Sequence, residues 1–409
     1  MSNKKYDVVI FGATSFVGQI LCGYMWQRHG LKGEVSWAMA GRSRTKLDEV
    51  RSDLGSGSSQ IDTLVADADD EAALREMCAH ARVVVSTVGP YALYGSKLVG
   101  ICADMGVHYC DLTGEIQWVD RMITAHEETA RRNGARIVHC CGFDSIPSDL
   151  GVFFLQKEMA RRFNEPARDI RMRVRKARGG FSGGTVASMM NVTKEVMANP
   201  SLAKKLGNPF LIAPENPGTR QPSLKVPEYD KRARSWLAPF VMAGINTRVV
   251  HRSNGLMHWS YGRDFTYDEA MMTGDGIKGR VMATGMTAAL GGFFAAAAVP
   301  PSRMLLEKFV VPKPGEGPSH TEQEKGFYDL RFYGVGADGE HVEVKVTGDR
   351  DPGYGSTAKM LGEAAVCLAR DVDGEPGGFW TPASLMGDAL IKRLTEHAGL
   401  TFTVLDGNQ

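Results

Sequence analysis

At 409 residues the chain is long enough for two domains, and 43% hydrophobic with 23% charged residues is the composition of an ordinary globular protein. A formal net charge of +1 excludes a general nucleic-acid binder, which needs an excess of Lys and Arg. Seven scattered cysteines without a C-x-x-C pair exclude a zinc ribbon: adjacent Cys140 and Cys141 read as thiols of a reducing compartment, and no metal site is expected.

The opening MSNKKYD lacks the apolar core of a signal peptide, so a cytoplasmic protein is expected. From Tyr6 to Val138 short apolar runs (YDVVIF, VSWAMA, IDTLVA, RVVVST, VHYCDL, RIVH) alternate with helix-like segments. That rhythm implies crossover units and a six-stranded parallel sheet with helices on both faces, a doubly wound α/β fold of Rossmann type. Asp70 reads as a helix N-cap, and Gly106 and Gly134 as helix stops.

The first strand runs directly into GATSFVG, residues 12–18. A strand, a glycine turn and a helix start in that order form a pyrophosphate cradle, because backbone N–H groups and the helix dipole face an anion there. Gly12, Ala13, Thr14, Ser15, Phe16, Val17 and Gly18 are therefore candidate cofactor-binding residues. Ser15 stands where the middle glycine of the commoner pattern would be, and its hydroxyl suits a phosphate oxygen. A plain strand–helix corner is the competing reading. The end of the second strand, AMAGRSRTKL, carries Arg42 and Arg44 and no acid. An NAD site keeps a carboxylate there for the ribose 2′-hydroxyl, whereas a guanidinium suits a 2′-phosphate, so NADP(H) is expected, with NADPH preferred over NADH. Solvated helix-start arginines are the alternative. Asp67, after the third strand, stands where adenine is often met, or caps a helix.

The loop after the fourth strand, with Thr87, Val88, Gly89 and Pro90, belongs beside the nicotinamide. Tyr91 follows as a candidate proton donor, with packing as its alternative, and Tyr94 stands at the substrate mouth. Asp111 and Glu115 in CDLTGE and Asp144 in GFDSIPSDLG bring carboxylates to the loops after strands five and six. Asp111 is a candidate catalytic group or a structural acceptor; Asp144 is a candidate catalytic group or a cap of the helix that Pro147 opens.

Beyond Asp144 the rhythm changes. IRMRVRKA reads as a strand with Arg171, Arg173 and Arg175 on one face, either solvated or a dock for an acidic carrier protein or the cofactor phosphates. GTVASMMNVTKEVM reads as a helix, residues 199–229 as a Pro-rich lid-like loop, and residues 327–348 as a hairpin turning at Asp338-Gly339. Residues 281–299 carry no charge. Because Gly291-Gly292 would interrupt a helix, a buried helical hairpin or an acyl-tunnel wall is favoured there over a dimer face, a membrane contact or a membrane span. The last segment reads as helical. The domains are thus 1–143 for the cofactor, with helices of 354–409 packing back on it, and 144–353 as a mixed α+β domain for substrate and dimerisation. A homodimer is expected.

These blocks, together with FSGGTVASM (181–189), PGEGPS (314–319), GDRDPGYGSTAKML (348–361) and WTPASLMGDAL (380–390), resemble the saccharopine dehydrogenase-like oxidoreductases, with the nearest likeness to the branch described as trans-acting enoyl reductases of lipid biosynthesis. The resemblance implies hydride transfer and a second α/β domain shaping the substrate cleft. The resulting expectation is an NADPH-dependent reductase of an apolar small-molecule or carrier-bound acyl substrate. Hydride would go to the β-carbon, with the oxyanion met near Val88–Tyr91 and a tyrosine or water protonating the α-carbon. The alternatives are a saccharopine-like amino-acid dehydrogenase, or a non-catalytic NADP(H)-binding protein associated with lipid.

Overall fold

The apolar runs of the first third form strands β1 (Tyr6–Phe11), β2 (Trp37–Gly41), β3 (Thr63–Val65), β4 (Ala81–Ser86), β5 (His108–Asp111) and β6 (Arg136–Val138). The computed structural model describes residues 4–179, 183–309 and 317–405. Between these strands run helices α1 (Phe16–His29), α2 (Arg44–Asp53), α3 (Glu71–His80), α4 (Tyr91–Tyr94), α5 (Ser96–Met105) and α6 (Ile116–Asn133). Except for the edge strand β3, whose Val65 is exposed, the strands are buried on both faces, as a sheet covered by helices on each side requires. Asp70 caps α3 by accepting from the Ala73 N–H, and Gly106 and Gly134 end α5 and α6 in the left-handed region.

After β6, α7 (Ile146–Phe163) leads to β7 (Asp169–Arg178), followed by α8 (Gly183–Ala198), α9 (Pro200–Leu206), β8 (Glu228–Asp230), β9 (Ser235–Pro239), α10 (Ala243–Leu256), β10 (Thr266–Gly274), α11 (Gly276–Ala298), α12 (Pro300–Phe309) and α13 (His320–Glu324). The hairpin is β11 (Phe327–Val335) and β12 (His341–Gly348), paired antiparallel from Tyr328↔Gly348 to Val335↔His341. The chain closes with α14 (Thr357–Arg370), β13 (Gly378–Trp380), α15 (Gly387–His397) and β14 (Leu400–Leu405).

The first sheet is parallel, in the order β13-β6-β5-β4-β1-β2-β3. The second is mixed, in the order β14-β12-β11-β7-β10-β9-β8, with β7 and β10 parallel. The last segment is therefore not wholly helical: GFW supplies a seventh strand to the first sheet and LTFTVL an edge strand to the second. Both runs are short and follow strong helix patterns, which is why periodicity alone conceals them. Helix α14 is buried along nearly its whole length, and α7 packs against β11 and β12. The apolar core on one face of the first sheet therefore runs without a break from Val8 and Ile10 through Leu361 to Ile170 and Phe332 of the second.

Two expectations for the second domain are corrected. The arginine face of β7 is not an open anion dock. Arg173 is buried between Asp230 (2.9 Å) and Asp268 (2.7 Å), Arg171 pairs with Asp169 and Asp268, and Arg175 with Asp329. Nor is 281–299 a buried hairpin or tunnel wall. Residues 281–298 lie within one continuous 23-residue helix, α11, which Val299 caps and in which only Gly279, Ala283 and Ala297 are buried. Gly291 and Gly292 do not break it, because glycine weakens a helix by only about 1 kcal/mol per residue and a run of alanines compensates.

Candidate active site

The strand order reverses at the neighbouring pair β1 and β4, and the ligand cleft of such a sheet belongs at the carboxyl ends of these two strands. Gly12 adopts φ +91°, and a Cβ there would come within 2.6 Å of Thr87 Oγ1 and 2.7 Å of Val88 Cγ2. A Cβ on Gly18 would strike the Gly12 carbonyl at 2.1 Å, so the first turn of α1 can sit against the strand end only with glycine at both places. Ser15 is the N-cap: its Oγ accepts from the Gly18 N–H at 2.9 Å and meets Thr87 Oγ1 at 2.9 Å, while Thr87 donates to the Gly12 carbonyl. The Ser15 N–H is bonded to Gly12. The Phe16 and Val17 N–H groups of the first turn have no place in the helix ladder and remain for an anion. Ser15 thus builds the cradle with its side chain and does not stand as a free phosphate ligand. Ala13 is buried behind the turn and Thr14 is half-buried at its rim.

The two arginines after β2 part company. Arg44 donates to Thr63 of β3 through its guanidinium, at 3.1 Å to the carbonyl, whereas Arg42 is exposed and makes no ion pair or hydrogen bond among the described residues. Asp67 accepts from the Asp69 N–H at 2.9 Å, shaping the turn that precedes the true cap, Asp70.

Past β4, the half-buried Val88 and the Gly89-Pro90 pair lead into α4. Tyr91 turns inward. Its hydroxyl donates to the Ser86 carbonyl at 2.9 Å and its ring packs on Trp118, 5.4 Å between centroids. The side chain is 4% exposed, and burial holds its proton far more tightly than in water. Its hydroxyl is not directed at the cleft, which corrects the expectation of Tyr91 as donor: the short α4 turns the ring back under its own loop. The helix-start N–H groups of Tyr91 and Ala92 are held by Glu115 at 2.7 and 3.1 Å. Glu115 is buried and burial raises its pKa. Asp111 also points inward. It is fully buried, accepts from the Thr113 and Cys140 N–H groups at 3.1 and 3.2 Å, and meets His139 Nδ1 at 2.7 Å. It fixes the loops after β5 and β6 and offers nothing to a ligand. Cys140 and Cys141 are buried free thiols, raised by burial.

Asp144 is different. Ser145 occupies the N-cap position of α7, so Asp144 does not cap it. The carboxyl makes no hydrogen bond among the described residues and stands half-buried. A Cβ on Gly114 would lie 3.7 Å from its Oδ2, and 2.9 Å from Ile245 of α10. Removal from water, reinforced by Glu269, raises it to about 7. Glu269, buried behind it in β10, is bonded by Tyr267 Oη and Asn246 Nδ2, both at 2.8 Å, and burial raises it to about 7 as well. Sequence reading passed over Glu269. Its visible signal is the Asp268-Glu269 pair inside an otherwise apolar strand pattern, since an acid inside such a strand must be partnered or kept protonated.

The GDRDPGYGST block closes the far wall. Asp351 receives the Tyr354 and Gly355 N–H groups, Tyr354 packs edge-on to Phe16 at 5.2 Å, and Thr357 Oγ1 accepts from the Phe143 N–H at 3.0 Å. Gly317 of PGEGPS lies against the Phe16 ring, while residues 314–316 and residues 181–182 of FSGG lie outside the described residues. Ser188 donates to Glu115 at 3.0 Å.

A family model described as the saccharopine dehydrogenase NADP binding domain matches residues 8–138. The chain is 39% identical, over 96% of each chain, to a Mycobacterium tuberculosis protein whose own assignment as a trans-acting enoyl reductase is provisional. It is 35% identical over 97% of each chain to the trans-acting enoyl reductase of Mycobacterium ulcerans, and 34% over 96% to that of Mycobacterium bovis BCG. Among solved structures it is similar to apo saccharopine dehydrogenase (L-Glu forming) of Saccharomyces cerevisiae, with a TM-score of 0.57 and 12% identity over 98% of this chain and all of that one, a likeness of fold.

Proposed function

Because the chain belongs to the trans-acting enoyl reductase family of saccharopine dehydrogenase-like oxidoreductases, we propose that it reduces the carbon–carbon double bond of an α,β-unsaturated acyl substrate with NADPH. The cradle fits the cofactor: Gly12 and Gly18 leave the room that a Cβ would fill, and the first turn of α1 presents its N–H groups there. Arg42, free at the end of β2 with no acid beside it, supports the phosphorylated coenzyme. When bound, reduced nicotinamide supplies the hydride.

The chain's own residues supply the rest. Among the N–H groups of the loop after β4, Tyr91 and Ala92 are held by Glu115 and Val88 by Ser86, which leaves Gly89 to meet charge developing on the acyl oxygen. Asp144 then protonates the α-carbon, becoming a carboxylate that recovers its proton from solvent. The observation that carries this reading is an unpartnered carboxyl, held protonated near neutrality, at the same sheet end as a dinucleotide cradle. Stopped-flow absorbance with NADPH and enoyl thioesters of graded chain length tests it. Oxidation that depends on the double bond is expected, and none across the series would remove the substrate class. Lysine with a keto acid is expected to give no turnover.

A further inference from the structure

The cleft leaves α11 unexplained. A helix apolar around its circumference is ordinarily covered on all sides. Here one side packs against β9, β10, α8 and α12, while Val281 (66%), Met282 (48%), Met286 (37%), Phe294 (40%) and Val299 (53%) stand exposed, joined by Met304 (68%) of α12. Within the stretch itself the charges are of one sign. From Gly276 to Leu306 there is no acid, while Lys278, Arg280 and Arg303 flank the uncharged run; the nearest acids in sequence are Asp275, which caps α11, and Glu307. None of the three has an acidic partner among the described residues; Arg280 instead stacks on the Trp236 ring at 5.3 Å, and Trp236 meets the exposed Tyr229 at 5.8 Å.

We propose that α11 is an in-plane membrane anchor that docks the protein on an anionic lipid surface. Its apolar arc enters the acyl boundary to a depth of about 5–10 Å, with Lys278, Arg280 and Arg303 on the headgroups. The Tyr229–Trp236 pair beside Arg280 has the chemistry of the water–lipid interface, a polar tip on an apolar ring. Charge favours lipid over a second copy as the occupant. Two such helices face to face would bring Lys278, Arg280 and Arg303 of each copy together against only the terminal Asp275 and Glu307, whereas phosphatidyl headgroups supply the opposite sign along the whole face. Packing of one side against the second sheet favours lying in the surface over spanning it. The inference stands apart from the enoyl reading, since it uses no residue of the cleft.

Flotation of the full-length protein with phosphatidylglycerol vesicles and with phosphatidylcholine vesicles tests it, alongside analytical ultracentrifugation. Wild type is expected to float with the anionic vesicles and to be released by salt. Met286→Asp/Phe294→Asp is expected to lower the bound fraction at least about tenfold. Lys278→Glu/Arg280→Glu/Arg303→Glu should abolish the preference for anionic lipid. All of these positions are exposed or half-exposed, and retained NADPH binding reports an intact fold and keeps this test separate from that of the cofactor site. Wild type that stays below the vesicles, or a stable dimer in solution that Met286→Asp/Phe294→Asp dissociates, would overturn the proposal, the second in favour of a protein interface.

Discussion

Two arginines two positions apart, Arg42 and Arg44, look equivalent in sequence, and the structure separates them by their partners. Arg44 is engaged by Thr63; Arg42 is free. Charge-assisted hydrogen bonds contribute about 1.5–3 kcal/mol, so Arg42→Ala should raise the KM for NADPH roughly 10- to 100-fold and leave that for NADH nearly unchanged, measured by initial rates with each coenzyme. Arg44→Ala should do neither. Asp144→Asn should lower kcat by about 10²-fold or more with NADPH binding intact by fluorescence titration. In the wild type, kcat should decline as pH rises through about 7, because Asp144 gives a proton and is ionised above that pH. The carboxylates were visible in the sequence as residue types near the cleft. Their directions were not: Asp111 ends β5 and Asp144 lies just past β6, both at the same sheet end, and what distinguishes them is that His139 and two backbone N–H groups reach the first and nothing among the described residues bonds the second.

Among elements, the strand–turn–helix unit was the most legible, because backbone sterics at Gly12 and Gly18 leave few alternatives. Gly12→Ala should abolish coenzyme binding in calorimetry while leaving the protein folded, since the added methyl meets Thr87 and Val88 at the cradle's rim. β7 shows the opposite case. Its alternation predicted a strand with an arginine face, but apart from Asp169 beside Arg171 the acids that neutralise that face come from β8, β10 and β11, far along the chain, and no local pattern announces them. Arg173→Ala should destabilise the second sheet by about 3 kcal/mol in urea unfolding. That is the lower end of the range for breaking a buried pair, because Arg171 still holds Asp268. Helix α11 was misread for a related reason: uncharged composition records only that a segment avoids water, and the sequence does not contain the surface that covers it.

Across the whole molecule, three carboxyls, the half-buried Asp144 and the buried Asp149 and Glu269, are raised by removal from water to about 7, from 3.8 for aspartate and 4.5 for glutamate. The folded state therefore holds protons that the unfolded chain releases near pH 4. The stability these groups confer is complete below about 4, falls as pH rises through the interval and is lost above about 7. Carboxylates lowered by arginine, such as Glu34 and Glu158, act in the other direction at the acid end of the scale, and His29, His108 and His251, lowered by burial from 6.5 to about 4, 4 and 3, do so from about pH 6.5 downward. The share of the carboxyls is read as a difference: relative to the triple variant Asp144→Asn/Asp149→Asn/Glu269→Gln, the thermal unfolding midpoint of the wild type should rise by several degrees between pH 8 and pH 5. One further consequence follows from where α14, β13 and β14 lie. The buried helix fills the core beneath β1, β4 and β5, and the two strands complete a sheet each, so neither half can close over its apolar interior until these late segments have left the ribosome. A nascent chain halted near residue 350 should accordingly remain protease-sensitive throughout, and acquire resistance in both halves at once on release.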